Sequence, residues 1–127
     1  MEKLPKINII YEDNHLLVVE KPVNIPVQED ISQDIDMITL LKKYRIKKEN
    51  KKGDAYIGLV HRLDRPVGGI MVFAKTSKAA SRLSEEIRNN TFHKTYLAVI
   101  QGTMPKEGKL EDYLIKDNNK NISYITT

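Results

Sequence analysis

Residues 7–11 alternate between apolar and polar, with Ile7, Ile9 and Tyr11 on one face of an extended strand. Leu16-Leu17-Val18-Val19 is a continuous β-prone run, apolar on both faces, and so predicts a strand buried on both faces. Glu12-Asp13-Asn14-His15 between them is turn chemistry, and residues 7–21 therefore predict a β-hairpin. Pro22 ends it, because proline cannot donate to a ladder, and residues 22–31 read as an irregular loop. Asp36 is placed to cap a helix whose apolar stripe is Met37, Leu40, Leu41 and Tyr44. Residues 58–60 and 70–74 predict two strands joined by a shaped loop, in which Gly68-Gly69 permit a positive φ or a close backbone approach. Thr76 or Ser77 caps a second helix to about Asn90, with Ala79, Ala80, Leu83 and Ile87 on one face and the i, i+4 pair Arg82 and Glu86 on another. Alternation predicts a strand over residues 94–101, with Tyr96, Ala98 and Ile100 on one side and Leu97 and Val99 on the other. A further strand at 110–115, a turn at Asn118-Asn119-Lys120-Asn121 and a strand from Ile122 complete the pattern. The fold class expected is α+β: a mixed, largely antiparallel sheet with two packed helices. A strand that starts just before the last residue leaves an edge unpaired, so the natural protein is expected to extend past Thr127.

Composition narrows the options. The 127 residues suit one domain, with no separate accessory domain expected, and 40% hydrophobic with 30% charged residues is a folding composition. The absence of cysteine excludes a disulfide scaffold and a thiol nucleophile, and three scattered histidines argue against a metal cluster. No apolar run approaches the roughly 20 residues needed to span a bilayer, and the first ten residues lack a signal-peptide core, so a cytoplasmic address is expected. The net charge of 21 − 17 = +4 points mildly to polyanions. Lys42, Lys43, Arg45, Lys47, Lys48, Lys51 and Lys52 form a basic stretch, read as a solvated helix end and loop in preference to a phosphate-contacting patch.

His61-Arg62-Leu63-Asp64-Arg65 is the densest ionisable cluster on a rigid scaffold. A carboxylate between two arginines has its charged form favoured, and an ionised Asp on a shaped loop can act as a nucleophile. The same residues also read as a surface ion pair at a turn, and local chemistry alone favours that plainer reading.

That segment, followed by Gly68-Gly69 and Phe73-Ala74-Lys75, resembles the signature of the RluA-type RNA pseudouridine synthases. Residues 10–22, from Ile10-Tyr11-Glu12-Asp13 to Glu20-Lys21-Pro22, resemble the opening of the same catalytic domain, and Lys94-Thr95-Tyr96-Leu97-Ala98-Val99 with Gly102 resembles its next motif. The resemblance implies isomerisation of uridine to pseudouridine in structured rRNA or tRNA, without a cofactor. It makes Asp64 the catalytic carboxylate and Tyr96 the tyrosine that packs on the uracil near it. It makes Arg62 the side chain that props the space left by the flipped base, a step costing a few kcal/mol. His61 and Arg65 are expected as framework and backbone-phosphate contacts, and Lys94 as a further RNA contact. Arg65-Pro66-Val67-Gly68-Gly69 departs from the Thr-Ser-Gly-like sequence of many relatives. A later basic residue and a His-Gln-Ile-Arg-like segment of the family are not in the sequence, which implies a partial catalytic domain with weak or no activity by itself. The oligomeric state is open.

Two rivals stand beside this. A non-catalytic RNA-binding protein, or an inactive fragment, would use the basic stretch and owe nothing to Asp64. A glycosidase-like hydrolase would need a second carboxylate near Asp64, for which Glu20 and Asp112 are candidates without positional support.

Overall fold

The computed structural model describes residues 3–127. The chain falls into two compact units, one ending at Lys94 and the other Thr95–Thr127.

The first unit holds β1 (Asn8–Glu12), β2 (Leu16–Lys21), α1 (Met37–Lys48), β3 (Gly58–Leu59), β4 (Gly69–Ala74) and α2 (Ser77–Arg88). Its sheet has the order β1-β2-β4-β3 and every pair is antiparallel. The hairpin forms because Asp13 accepts from the amides of His15 and Leu16, both at 2.7 Å, and closes the turn. Asp36 caps α1 by accepting from Thr39 N at 3.2 Å, and Thr76 caps α2 by accepting from Ala79 N at 3.1 Å. The α+β class holds, with antiparallel pairing throughout the described strands.

The core lies between α1 and one face of the sheet. Leu17 and Val19 of β2 face Phe73 and Met71 of β4 in register, and Met37 and Leu41 of α1 pack on them. Strand β2 is fully buried on this face only. Leu16 and Val18 on the other are half-buried and Glu20 is exposed, because α2 covers that side only in part.

Besides the expected burial of β2 on both faces, two further sequence expectations fail here for geometric reasons. A bulge at Ile10 shifts the pairing of β1, so that Ile9 opposes Val19 but Tyr11 opposes Val18. The bulge turns Tyr11 off the core face and sets Glu12 opposite the buried Leu17. Arg45, expected in the solvated basic stretch, is buried. It donates to Glu49, to Tyr56 O at 2.6 Å and to Lys75 O at 3.0 Å, tying α1 to the β3 and β4 ends.

Glu12 is the centre of the resulting ionic cluster. Its carboxylate accepts from Tyr44 Oη at 2.6 Å, Lys48 Nζ at 2.6 Å and Lys75 Nζ at 2.7 Å. Burial pushes the Glu12 carboxyl up, but these hydrogen bonds and the Lys75 charge outweigh it and hold the pKa at about 2, against an ordinary 4.5. A folded-state pKa below the unfolded one stabilises above the unfolded value and ceases to do so as pH falls through the folded one. Thermal melts are therefore expected to lose on the order of 2 kcal/mol between pH 4.5 and 2, after discount for solvent screening. Glu12→Gln should flatten that acid slope and destabilise at neutral pH, because Lys75 stays buried without its nearest carboxylate.

The second unit contains one hairpin, β5 (Tyr113–Asp117) and β6 (Ile122–Thr126), turning at residues 118–121 as expected. The predicted strand at 94–101 is not a strand: residues 91–112 carry neither helix nor strand, and Leu97 and Val99 are fully exposed. Alternation supplies two faces, but a strand exists only when a neighbour takes its amides and carbonyls, and no described strand does so.

Candidate active site

The loop between β3 and β4 alternates inward and outward. Leu63 sinks into the core beside Ile57 and Phe73, while Arg62 and Asp64 on either side of it are exposed. Leu63 thus pins the loop at its centre and leaves the Asp64 carboxylate in solvent. A turn follows, closed by Val67 N donating to Asp64 O at 2.9 Å.

The last residue of β2 holds this turn from beneath. Lys21 is 0% exposed, and its Nζ donates to Val67 O at 2.7 Å, Arg65 O at 2.9 Å and Pro22 O at 2.9 Å. Asn24 N adds a second bond to Arg65 O at 2.8 Å. Three carbonyls satisfy the three ammonium hydrogens, which is how an unpaired lysine is tolerated inside. Burial pushes the Lys21 amine down, and the nearby Arg65 charge adds to this. The alternation of β2 carried the signal: Lys21 lies on the face of Leu17 and Val19.

Both loop glycines are required, for different reasons. Gly69 has φ +151°, with only Leu63 Cδ1, at 3.6 Å, near the place of a Cβ. At Gly68 a Cβ would meet Val23 Cγ1 at 3.1 Å and Lys21 O at 3.2 Å. Gly69→Ala is therefore expected to cost roughly 1–3 kcal/mol of backbone strain without a clash, read as a lower urea midpoint at unchanged slope.

The arginines do not grip Asp64. Arg62 Nη2 donates to Gln28 Oε1 at 3.3 Å. Arg65 turns the other way, pairing with Asp34 at 2.5 Å and Asp30 at 3.7 Å and donating to Asn24 O at 3.2 Å. The expected carboxylate between two guanidiniums is thus corrected: among the described residues the Asp64 side chain has no ion pair. Neighbouring positions in a tight loop point apart, and each arginine finds its partner on residues 24–34. Arg65, expected at an RNA phosphate, here straps that loop and faces a cavity of about 960 Å³ whose lining includes Glu29, Asp34 and Asp36. His61, also expected at the RNA, turns inward and accepts from Val72 N at 3.1 Å. Lys94 is exposed, and its charge helps to depress the His61 pKa, for which burial is the larger cause. Tyr96 belongs to the second unit and is 58% exposed. No group of His, Asp and Glu able to hold a metal occurs among the described residues, and no described helix is long and apolar enough to cross a membrane.

Comparison with known proteins points to one family. The family model described as RNA pseudouridylate synthase matches residues 15–126. The chain is 32% identical over 115 residues to ribosomal large subunit pseudouridine synthase C of Buchnera aphidicola subsp. Schizaphis graminum, covering 90% of this chain and 35% of that protein. It is 29% identical over 120 residues to tRNA pseudouridine synthase C of Pectobacterium carotovorum subsp. carotovorum, covering 94% and 31%. Among solved structures, Human RNA Pseudouridylate Synthase Domain Containing 4 matches with TM-score 0.57 at 26% identity, over 66% of this chain and 30% of that one. The chain thus spans about a third of the length of the relatives it matches.

Proposed function

This chain belongs to the RNA pseudouridylate synthase family, in its RluA-type branch, and from that premise we propose that it isomerises uridine to pseudouridine in structured ribosomal or transfer RNA, with Asp64 as the catalytic carboxylate. The observation that carries the reading is the Asp64 side chain itself, solvent-exposed on a turn whose backbone is fixed by Leu63 and Lys21. Preorganisation of this kind is what a reacting carboxylate needs, since it must meet a sugar or base atom at contact distance without reorganising.

In the reaction the N1–C1′ bond of the nucleoside breaks, the uracil turns, and C5 bonds to C1′. The C5 proton leaves to solvent and N1 gains one, so the product is an isomer and no cofactor is consumed. The uridine is flipped out of the RNA before this. Arg62, exposed beside Asp64, is proposed to fill the vacated stack. Tyr96 is proposed to pack on the uracil, where base stacking contributes roughly 1–3 kcal/mol. Lys94 is proposed to contact the phosphate backbone. Arg65 would reach a phosphate only by leaving Asp34, so its role is proposed to be mainly that of a strap.

Mass-spectrometric mapping of rRNA and tRNA from cells lacking the gene tests this. At least one pseudouridine should disappear and return on complementation; an unchanged map would remove the proposal. The non-catalytic RNA-binding reading finds support in Lys43, Lys47, Lys51 and Lys52, which are exposed on α1 and after it. It requires salt-sensitive RNA affinity and complementation that is indifferent to Asp64.

A further inference from the structure

Strand β4 lies between β2 and β3, and β3 covers very little of it. The β3–β4 ladder has two rungs, Gly58 opposite Ala74 and Leu59 opposite Phe73. Continued by one residue, the register would set Val60 opposite Val72, and the Val60 carbonyl would take the Val72 amide hydrogen. The chain leaves β4 instead, to form the loop of Arg62, Leu63, Asp64 and Arg65. Val72 N would then be an unpaired donor in the middle of a sheet, at a cost of about 1–3 kcal/mol. His61 Nε2 occupies that place at 3.1 Å from Val72 N. An imidazole ring has replaced a peptide carbonyl in the ladder at the point where the candidate catalytic loop departs.

We propose that His61 is a positioning residue whose neutral ring closes the β4 ladder and fixes the departure of the Asp64 loop, and whose protonation releases it.

The protonation state follows from the hydrogen bond. A ring nitrogen that accepts carries no hydrogen, so the His61 proton sits on Nδ1. Nδ1 is buried and has no partner among the described residues, so nothing at the site rewards the doubly protonated ring. The Phe92 ring covers the imidazole, with centroids 5.4 Å apart and planes tilted by 55°. Around the ring, β4 presents the Val72 amide, the segment after α2 presents Phe92, and Lys94 is the charged group acting on it. Burial, then the Lys94 charge, push the His61 pKa down. With the folded pKa below the unfolded one, the latch is intact at neutral pH and opens as pH falls through the folded value. Adding a proton at Nε2 sets a donor against the Val72 N–H, so the bond becomes repulsive and not merely absent.

Amide exchange and ring titration of the 127-residue chain by NMR, followed over roughly pH 5–8, test this. After correction for intrinsic exchange, protection at Val72 is expected to fall on the order of 10-fold or more as the His61 ring titrates. His61→Gln, which keeps an acceptor without a titration, should hold Val72 protected across the range. His61→Phe, which keeps a ring without an acceptor, should leave it unprotected at every pH. Val72 protection that stays flat through the His61 titration, or that survives in His61→Phe, overturns the proposal, and the first of these needs no variant. The consequence for turnover rests on the reading of Asp64: kcat should show an acid limb that follows His61 and vanishes in His61→Gln, with KM moving less. An exchange result as expected with no isomerisation by the native protein would remove the Asp64 reading and leave the latch standing. Flat exchange removes the latch whatever the activity.

Discussion

Complementation with the gene carrying Asp64→Asn is expected to leave the target uridine unmodified, with a loss of pseudouridine formation on the order of 10³-fold or more, while RNA affinity stays within about two-fold. The asymmetry is the point. Asparagine has the volume of aspartate and keeps one carbonyl oxygen, and the Asp64 side chain makes no hydrogen bond or ion pair among the described residues, so the described fold has nothing to lose. The turn is held by the Asp64 backbone carbonyl, by Lys21 and by Leu63, none of which the substitution touches. What disappears is the negative oxygen available to the reacting nucleoside, and a 10³-fold loss corresponds to about 4 kcal/mol of transition-state stabilisation. In the proposed reading RNA is held by cations elsewhere, so the salt dependence of its binding should be unchanged. A variant that modifies RNA at an ordinary rate removes Asp64 from the chemistry, and one that has lost RNA affinity as well shows a role in binding.

Lys21→Met should be the most damaging single change to the first unit. Methionine fills a similar volume, so little cavity opens, but three hydrogen bonds vanish. Arg65 O keeps Asn24 N as a donor, whereas Pro22 O and Val67 O lose their hydrogen-bond donor. Two acceptors of partly buried hydrogen bonds left bare, at about 1–3 kcal/mol each, give a loss of roughly 2–6 kcal/mol. The melting temperature should fall by roughly 10 °C or more. The same change frees the turn that presents Asp64, so kcat should drop in whatever fraction remains folded, with RNA affinity less affected. Lys21→Arg is the informative companion. It keeps the charge but carries a planar fork where a compact ammonium meets three converging carbonyls, and it is expected to fail nearly as badly. Thermal melts of both, with wild-type stability in either variant as the contrary result, decide whether Lys21 holds the loop.

Local rules made several elements legible. Asp13 in its turn, Asp36 and Thr76 at their caps, and the dense apolar runs of β2 and β4 depend on residues a few positions apart, so the order of the amino acids suffices. The glycine pair was legible too, since the positive φ at Gly69 and the close approach at Gly68 are both uses only glycine permits. The motif around Asp64 could be recognised as a string, whereas its outward pose shows only in the structure, where Leu63 sinks and Asp64 does not.

What was not legible involves partners far apart in the chain. Whether Arg62 and Arg65 face Asp64 depends on where residues 24–34 pass, and their carboxylates and amide take both guanidiniums away. One bulge at Ile10 exchanged Tyr11 for Glu12 on the core face, and composition carries no mark of such a shift. Lys21 reads as a polar strand end until the carbonyls of residues 65 and 67 arrive beneath it, more than forty positions away. Because torsional preference and side-chain periodicity act within a few residues, the order of residues thus determined the two helices, the turns and the described strands, though it also suggested a strand at 94–101 that does not form. Only the assembled structure decided which side chains meet, because a hydrogen bond is made at about 3 Å in space and takes no account of separation along the chain.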